Sequence, residues 1–414
     1  MDIFSNTYLV QNIALAGSLI FVSFLLAHFL TPIAGMLARK LGAVDLPARL
    51  RKRGERGLDT RIHAYPYPKL GGLAVAASFL IVLIGNNMLG NLPTGVIIGI
   101  LIIIVLGFLD DVFEISAPVQ FALQFLAAFA VVASGISITS INVLNIPISF
   151  DWLPDIIIQI GGYAYNFVFP GDVLTILWII GLINVINWVG GVDALNASVS
   201  SIALGTMLIL ILSLGNIPLA MVIAVYLGSV LGVLPFNWNP GKIMYGSIGD
   251  YLNGFLLAVF AIIGGAKWNA TLIVLALPII DGLYVFYSRW KANPQLRSKP
   301  FQLMNLSGYN HLHHRILSAG YSKKMVVLIE GTIMFVICTI VLYFSGINQE
   351  YIAIPVALMI ILIIFTFITF RVKKAQKEKN LKYAAQLAEE EKMGSVVVQV
   401  VGKEEDDEDQ KFVY

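Results

Sequence analysis

"ILIIIVLGFLDDVFE", residues Ile100–Glu114, decides the fold. Ten residues that are almost all hydrocarbon end in two adjacent aspartates. An ionised carboxylate beside hydrocarbon costs several kcal/mol unless something pairs with it, and Asp110 and Asp111 also repel each other. The run therefore reads as one end of a membrane-spanning helix, and the doublet as a demand for a counter-charge.

Working outward, the whole chain has the same character. Of 414 residues, 58% are apolar and 13% charged, and the mean hydropathy is +0.82. Soluble domains carry about 25% charge, so the chain belongs in a bilayer. Roughly 20 apolar residues cross the hydrocarbon core. Runs of that kind lie near 9–37, 70–90, 92–109, 117–136, 174–190, 197–214, 217–235, 251–266, 268–287, 325–345 and 352–370. The expected fold is an all-α polytopic membrane protein of about 11 transmembrane helices over residues 1–371, followed by a charged cytoplasmic tail at 372–414. "MDIFSNTY" has no basic n-region, so the first run reads as a retained helix and not a signal peptide. The single cysteine, Cys338, lies in an apolar segment and excludes a disulfide framework.

Charge sets the orientation. With the N-terminus outside and the C-terminus cytoplasmic, 26 of the 27 Lys and Arg residues fall inside, and Lys267 is the exception. The segment 137–173, between spans four and five, then lies outside. Its alternation of polar and apolar residues predicts a short outer hairpin. The basic run "RLRKRGER" (Arg49–Arg56) reads as a topology determinant and not as a nucleic-acid site. No internal repeat is visible, and no mid-span ionisable residue marks an ion pathway, which argues against a transporter.

Placed by depth, the unusual polar residues gather on the cytoplasmic side. They are Lys69 in "HAYPYPKLGG", the doublet Asp110–Asp111, and Asn184, Asn187 and Asp193 in "NVINWVGGVDALN". Further along come Asp250 in "NPGKIMYGSIGDYLNG", Asp281 in "PIIDG", and His311, His313, His314 and Arg315 in "NHLHHRI". Carboxylates, cations and glycine-rich turns together suit a divalent metal with phosphate groups, since Mg²⁺ takes one or two carboxylates and fills its shell with water and phosphate oxygens. Each residue also has a structural alternative. The doublet can cap a loop, the asparagines can join helices, Asp250 can N-cap span eight, Lys69 can snorkel, and the histidines can be solvated.

At these residues the chain resembles the polyprenyl-phosphate N-acetylhexosamine-1-phosphate transferases of glycosyltransferase family 4, which include the MraY and WecA/TagO-type enzymes. The resemblance spans about residues 10–345 in motif order, and "NHLHHR" makes it more similar to the WecA/TagO branch. It implies transfer of a sugar-1-phosphate, most often GlcNAc-1-phosphate, from a UDP-N-acetylhexosamine to polyprenyl (undecaprenyl) phosphate. UMP leaves, Mg²⁺ or Mn²⁺ assists, and the product starts a cell-envelope glycan at the cytoplasmic face of a prokaryotic membrane. The partners implied are the nucleotide sugar, the lipid phosphate and the membrane, with a homodimer as an option and no nucleic acid. By resemblance, Asp110 and Asp111 are catalytic, and Asp111 and Asp193 meet the metal; Asp250 joins the metal set only on the geometric reading given below. Lys69, Asn184, Asn187, Asp193 and Asp281 serve the nucleotide, and His311, His313, His314 and Arg315 the phosphates.

The chain departs from the family pattern at four positions of two motifs. The first aspartate of the family's Asp-Gly-x-Asp-Gly segment is Gly190, and the glycine after Asp193 is Ala194. In the loop that normally reads Gly-Asp-x-Gly-Ser, the aspartate position is Ser247, and a carboxylate stands three residues later as Asp250. A helical turn starting there would bring Asp250 back to the same face. The alternative is a degenerate family member that binds lipid phosphate or nucleotide sugar without transfer.

Overall fold

The computed structural model describes residues 7–46, 66–143, 146–150, 152, 156–160, 163–264, 268–298, 311–346, 352–353, 355–372 and 374–375. The basic run Arg49–Arg56, Lys267 and the tail beyond residue 375 lie outside the described residues.

Without water, a backbone must satisfy its own N–H and C=O groups, and an apolar run does so as a helix. The first helices are α1 (Thr7–Leu41), α2 (Gly71–Gly85), α3 (Thr94–Phe113) and α4 (Ala117–Ala133). After them come α5 (Gly171–Val189), α6 (Leu195–Ser213), α7 (Ile217–Asn237) and α8 (Gly246–Ile263). The chain continues through α9 (Trp268–Val274), α10 (Ala276–Ala292), α11 (Leu312–Ser318), α12 (Lys323–Gly346) and α13 (Pro355–Val372). Eight of these are long and apolar enough to cross a membrane, and α2 and α4 are shorter apolar helices. The fold is an all-α polytopic membrane protein.

Burial sorts the helices. Most residues of α7 and α8 are buried, whereas α1 and α13 keep most of their side chains exposed. A helix that is apolar all round belongs inside a bundle, and α8 takes that place, packed by α2, α3 and α5. α1 packs on α7, and α12 on α6. Phe21, Phe29 and Ile33 of α1 and Leu362 and Phe370 of α13 point outward, as lipid-facing side chains do.

Three local features differ from expectation. The run expected as one span at 268–287 is two helices, broken at Leu275. Pro278, in the first turn of α10, cannot donate to the Val274 carbonyl, so the ladder stops there. The segment after α4 forms two antiparallel hairpins instead of one. They are β1 (Ser140–Val143) with β2 (Ile146–Ser149), and β3 (Ile156–Ile160) with β4 (Tyr163–Phe167). The second is tied to α5 through Asp172, which accepts from the Val168 N–H at 3.0 Å and from the Tyr165 hydroxyl. Most consequential for the site, α8 starts at Gly246 and not near 251, so Asp250 belongs to a helix.

Candidate active site

Where α3 and α5 end and α8 and α12 begin, a cavity of about 340 Å³ opens. Its wall brings together Lys69, Asp110, Asp111, Asn187, Asp193, Asp250 and His314 from five separate stretches of sequence. Asp281, His311, His313, Arg315 and Asn184 do not line it.

The two aspartates of the opening stretch have different partners. Asp111 is 2% exposed and accepts from the Ser247 N–H at 2.9 Å and the Ile248 N–H at 3.3 Å. It thus caps the N-terminus of α8, where unpaired amides and the helix dipole favour a negative charge. Gly246 makes this approach fit: its φ is +78°, and a Cβ there would lie 2.7 Å from Asp111 Oδ2. Asp110 accepts from Gln120 Nε2 at 2.8 Å and the Tyr251 hydroxyl at 3.1 Å. Lys69 reaches Glu114 at the exposed rim, 3.2 Å away.

Across the cavity, Asp193 accepts from Asn239 Nδ2 at 2.9 Å and stands 3.7 Å from Lys323 Nζ. Burial, and next the charge of Asp193, push the Tyr67 phenol well up, so it stays a neutral hydroxyl. Ala194 has φ +65°, a left-handed backbone that suits the glycine of the family pattern; its N–H donates to Asn237 Oδ1 at 2.8 Å. Asp250 is 9% exposed, and its Oδ1 is buried with no hydrogen-bond partner among the described residues.

The histidine motif is built around Asp281. Its Oδ1 accepts from the Leu312 N–H at 2.8 Å and its Oδ2 lies 3.0 Å from His311 Nδ1. A carboxylate only accepts, so His311 carries its proton on Nδ1. The His311 and His313 rings stack with centroids 5.5 Å apart. His313 Nε2 lies just behind the cavity wall, 2.6 Å from where a Gly191 Cβ would be. Burial, then the neighbouring histidines, hold His313 well below the usual imidazole range, and burial followed by His311 lowers His314 to about 4. Both are neutral near pH 7.

Two expected site residues brace the bundle. Arg315 turns away, donating to the Phe365 carbonyl at 3.3 Å and to the Thr369 hydroxyl, with its guanidinium 4.8 Å from the Tyr284 ring centroid. Asn184 joins α4 to α5, donating to Gln124 Oε1 at 2.7 Å, which is the interhelical alternative. Lys323 is a basic cavity residue that sequence reading missed, as it did Asp45, Glu114, Asn196, Asn237 and Tyr245. Lys323 was visible only as one of the basic residues that set orientation.

Among the described residues, no group of three or more His, Cys, Asp or Glu is gathered closely enough to hold a metal unaided. The donors fit a hard cation that takes one or two carboxylates and completes its shell with phosphate and water. Asp111 and Asp250 border the same cavity, and Asp250 Oδ1 is a buried oxygen without a partner.

Comparison with known proteins agrees with this architecture. Residues 93–265 match the family model of glycosyl transferase family 4. The chain is 31% identical to the probable undecaprenyl-phosphate N-acetylglucosaminyl 1-phosphate transferase of Bacillus subtilis (strain 168), over 86% of this chain and 92% of that protein. It is 28% identical to the decaprenyl-phosphate N-acetylglucosaminephosphotransferase of Mycobacterium leprae (strain TN), over 77% and 80%. With the phospho-N-acetylmuramoyl-pentapeptide-transferase of Geobacillus kaustophilus (strain HTA426) it shares 27% over 74% and 90%. The chain belongs to glycosyl transferase family 4.

Proposed function

We propose that this protein transfers GlcNAc-1-phosphate from UDP-GlcNAc to a polyprenyl phosphate, undecaprenyl phosphate in the first instance, on the cytoplasmic face of the membrane. UMP leaves, and the lipid-linked sugar starts a cell-envelope glycan. One observation carries the reading: a single cavity at the ends of the spans is bordered by Asp110, Asp111, Asp193 and Asp250 together with Lys69, Lys323 and His314. That is the composition needed to bring two phosphate anions together, because phosphoryl transfer depends mostly on positioning and charge neutralisation. The names of the relatives and the inward bias of 26 of 27 basic residues support the substrates and the face.

An oxygen of the lipid phosphate attacks the phosphorus that carries the sugar. A new P–O bond forms, the bond from that phosphorus to the bridging oxygen breaks, and UMP departs with the bridging oxygen. Asp110 and Asp111 sit where the acceptor phosphate would be oriented and kept deprotonated. Lys69 and Lys323 balance phosphate charge, and His314, being neutral, serves as a hydrogen-bond donor. Asp111 and Asp250 would hold Mg²⁺ or Mn²⁺ together with phosphate and water oxygens, and Asp193, tied to Asn239 and Lys323 across the cavity, would serve the nucleotide side instead. A bound divalent ion would neutralise the diphosphate and the charge developing on the leaving group.

The test is a transfer assay on purified protein with labelled UDP-GlcNAc, polyprenyl phosphate and Mg²⁺, with and without EDTA. The expected result is equimolar lipid-linked sugar and UMP, both abolished by EDTA. Ser247, a hydroxyl in the place of a family carboxylate, favours a second reading, binding without transfer. Nucleotide or lipid binding with no product would select it.

A further inference from the structure

Gly190 caps the C-terminus of α5 with φ −65° and ψ 0°. Any L residue adopts that right-handed conformation, so the backbone does not ask for glycine there. Space does. A Cβ at 190 would lie 2.5 Å from Asp250 Oδ2, 3.0 Å from Asp250 Cγ and 3.1 Å from the Asn187 carbonyl oxygen. The carboxylate of Asp250 stands where the side chain of residue 190 would begin. Its other oxygen, Oδ1, is buried without a hydrogen-bond partner among the described residues, and both residues border the cavity.

The motifs the chain resembles have the reverse arrangement, with a carboxylate at 190 and a serine at 250. Here the larger, charged side chain is on α8, and the residue facing it on α5 has none. Two substitutions that look unrelated in sequence therefore meet across one contact.

We infer that Gly190 is a positioning residue for Asp250: its missing side chain is the space in which the Asp250 carboxylate is held towards the cavity, ready for a divalent cation. The inference rests on the metal-dependent reading above. An uncompensated buried carboxylate costs several kcal/mol, so this one is built to meet a positive charge. The exchange also predicts that restoring the family's aspartate at 190 alone would be harmful. It would place a second carboxylate against the first in a space that admits a methyl group only if the Asp250 carboxylate shifts.

The experiment is a double-mutant cycle read by Mn²⁺ affinity, from the loss of free-ion EPR signal, on full-length protein in detergent. The set comprises the wild type, Gly190→Ala, Asp250→Ser, Gly190→Ala/Asp250→Ser and Gly190→Asp/Asp250→Ser, with melting temperatures recorded alongside. Gly190→Ala should weaken Mn²⁺ binding about 10- to 100-fold, the range for groups that orient a metal ligand. In the Asp250→Ser background the same alanine should change affinity less than about twofold, because the crowded oxygen is gone. Gly190→Asp/Asp250→Ser should bind Mn²⁺ more tightly than Asp250→Ser. If alanine weakens binding equally in both backgrounds, or in neither, the inference is overturned while the metal reading stands. If the wild type binds no Mn²⁺, both fall. Should Gly190→Ala fail to fold, Gly190→Ala/Asp250→Ser decides: a folded double variant upholds the contact, and an unfolded one refutes it.

Discussion

Asp111 and Asp281 invite comparison. Both are buried, both are the acidic residue of a family motif, and both accept a backbone N–H from the start of a helix. Asp111 does so at the wall of the cavity. Asp281 does so behind it, holding His311 and the first turn of α11. The same chemistry borders the cavity in one place and holds a framework in the other. Position relative to the cavity separates the two, since residue type and burial do not.

The largest expected effect sharpens this contrast. Asp111→Asn keeps an acceptor for the α8 amides but removes the charge. Transfer should fall by about 10²–10³-fold, the scale of losing one electrostatic group at a reacting centre, with little change in melting temperature. Asp281→Ala removes the acceptor from both His311 and Leu312. Stability should drop by about 3–5 kcal/mol, as when one partner of a buried pair is deleted, and thermal unfolding in detergent would show it. An Asp281→Ala protein with unchanged melting temperature and no activity would break the comparison, because Asp281 would then be acting on substrate.

Lys323→Ala should raise the KM for the nucleotide sugar by about tenfold, from the loss of one charge-assisted contact, and alter kcat less. Lys324, its neighbour outside the cavity wall, provides the control, and equal effects of the two alanines would count against a local role.

The histidines add a pH dependence. The folded pKa of His314 is lowered to about 4 and that of His313 is also depressed, both chiefly by burial. The unfolded value is about 6.5, so below it the unfolded chain binds more protons. Stability is fully present above pH 6.5 and is lost as pH falls towards 4, by at most about 1.4 kcal/mol per pH unit for each histidine. Melting temperatures of the wild type and His314→Gln across pH 4–8 should converge at the acid end.

The smallest effect concerns the backbone. Ala194 has φ +65°, and relieving that strain with Ala194→Gly should add about 1 kcal/mol of stability while leaving transfer unchanged.

Much of this was legible in the sequence. The apolar runs, their approximate ends and the gathering of Asp110, Asp111, Asp193, Asp250 and Lys69 at one end of the bundle follow from hydropathy and charge. Partitioning into a bilayer is decided by about twenty consecutive residues at a time, and that is local information. The second hairpin escaped because it lies inside a stretch whose alternation does not change, and the break at Leu275 because its only signal, Pro278, sits inside one continuous apolar run. Asn184 and Arg315 lie off the cavity wall, and Lys323 was missed, for another reason. A helix's rotation about its own axis is set by neighbours far away in the chain, and composition at a span end does not encode it.

The sequence by itself determined that the chain is a bundle of apolar, membrane-spanning helices and which polar residues gather near their ends. Only the tertiary structure decided which of those residues face the cavity, and that a glycine at 190 makes room for a carboxylate at 250. The contacts responsible join residues as distant as Asp111 and Ser247, 136 positions apart. Close packing selects them among helices, and no pattern along any one helix records it.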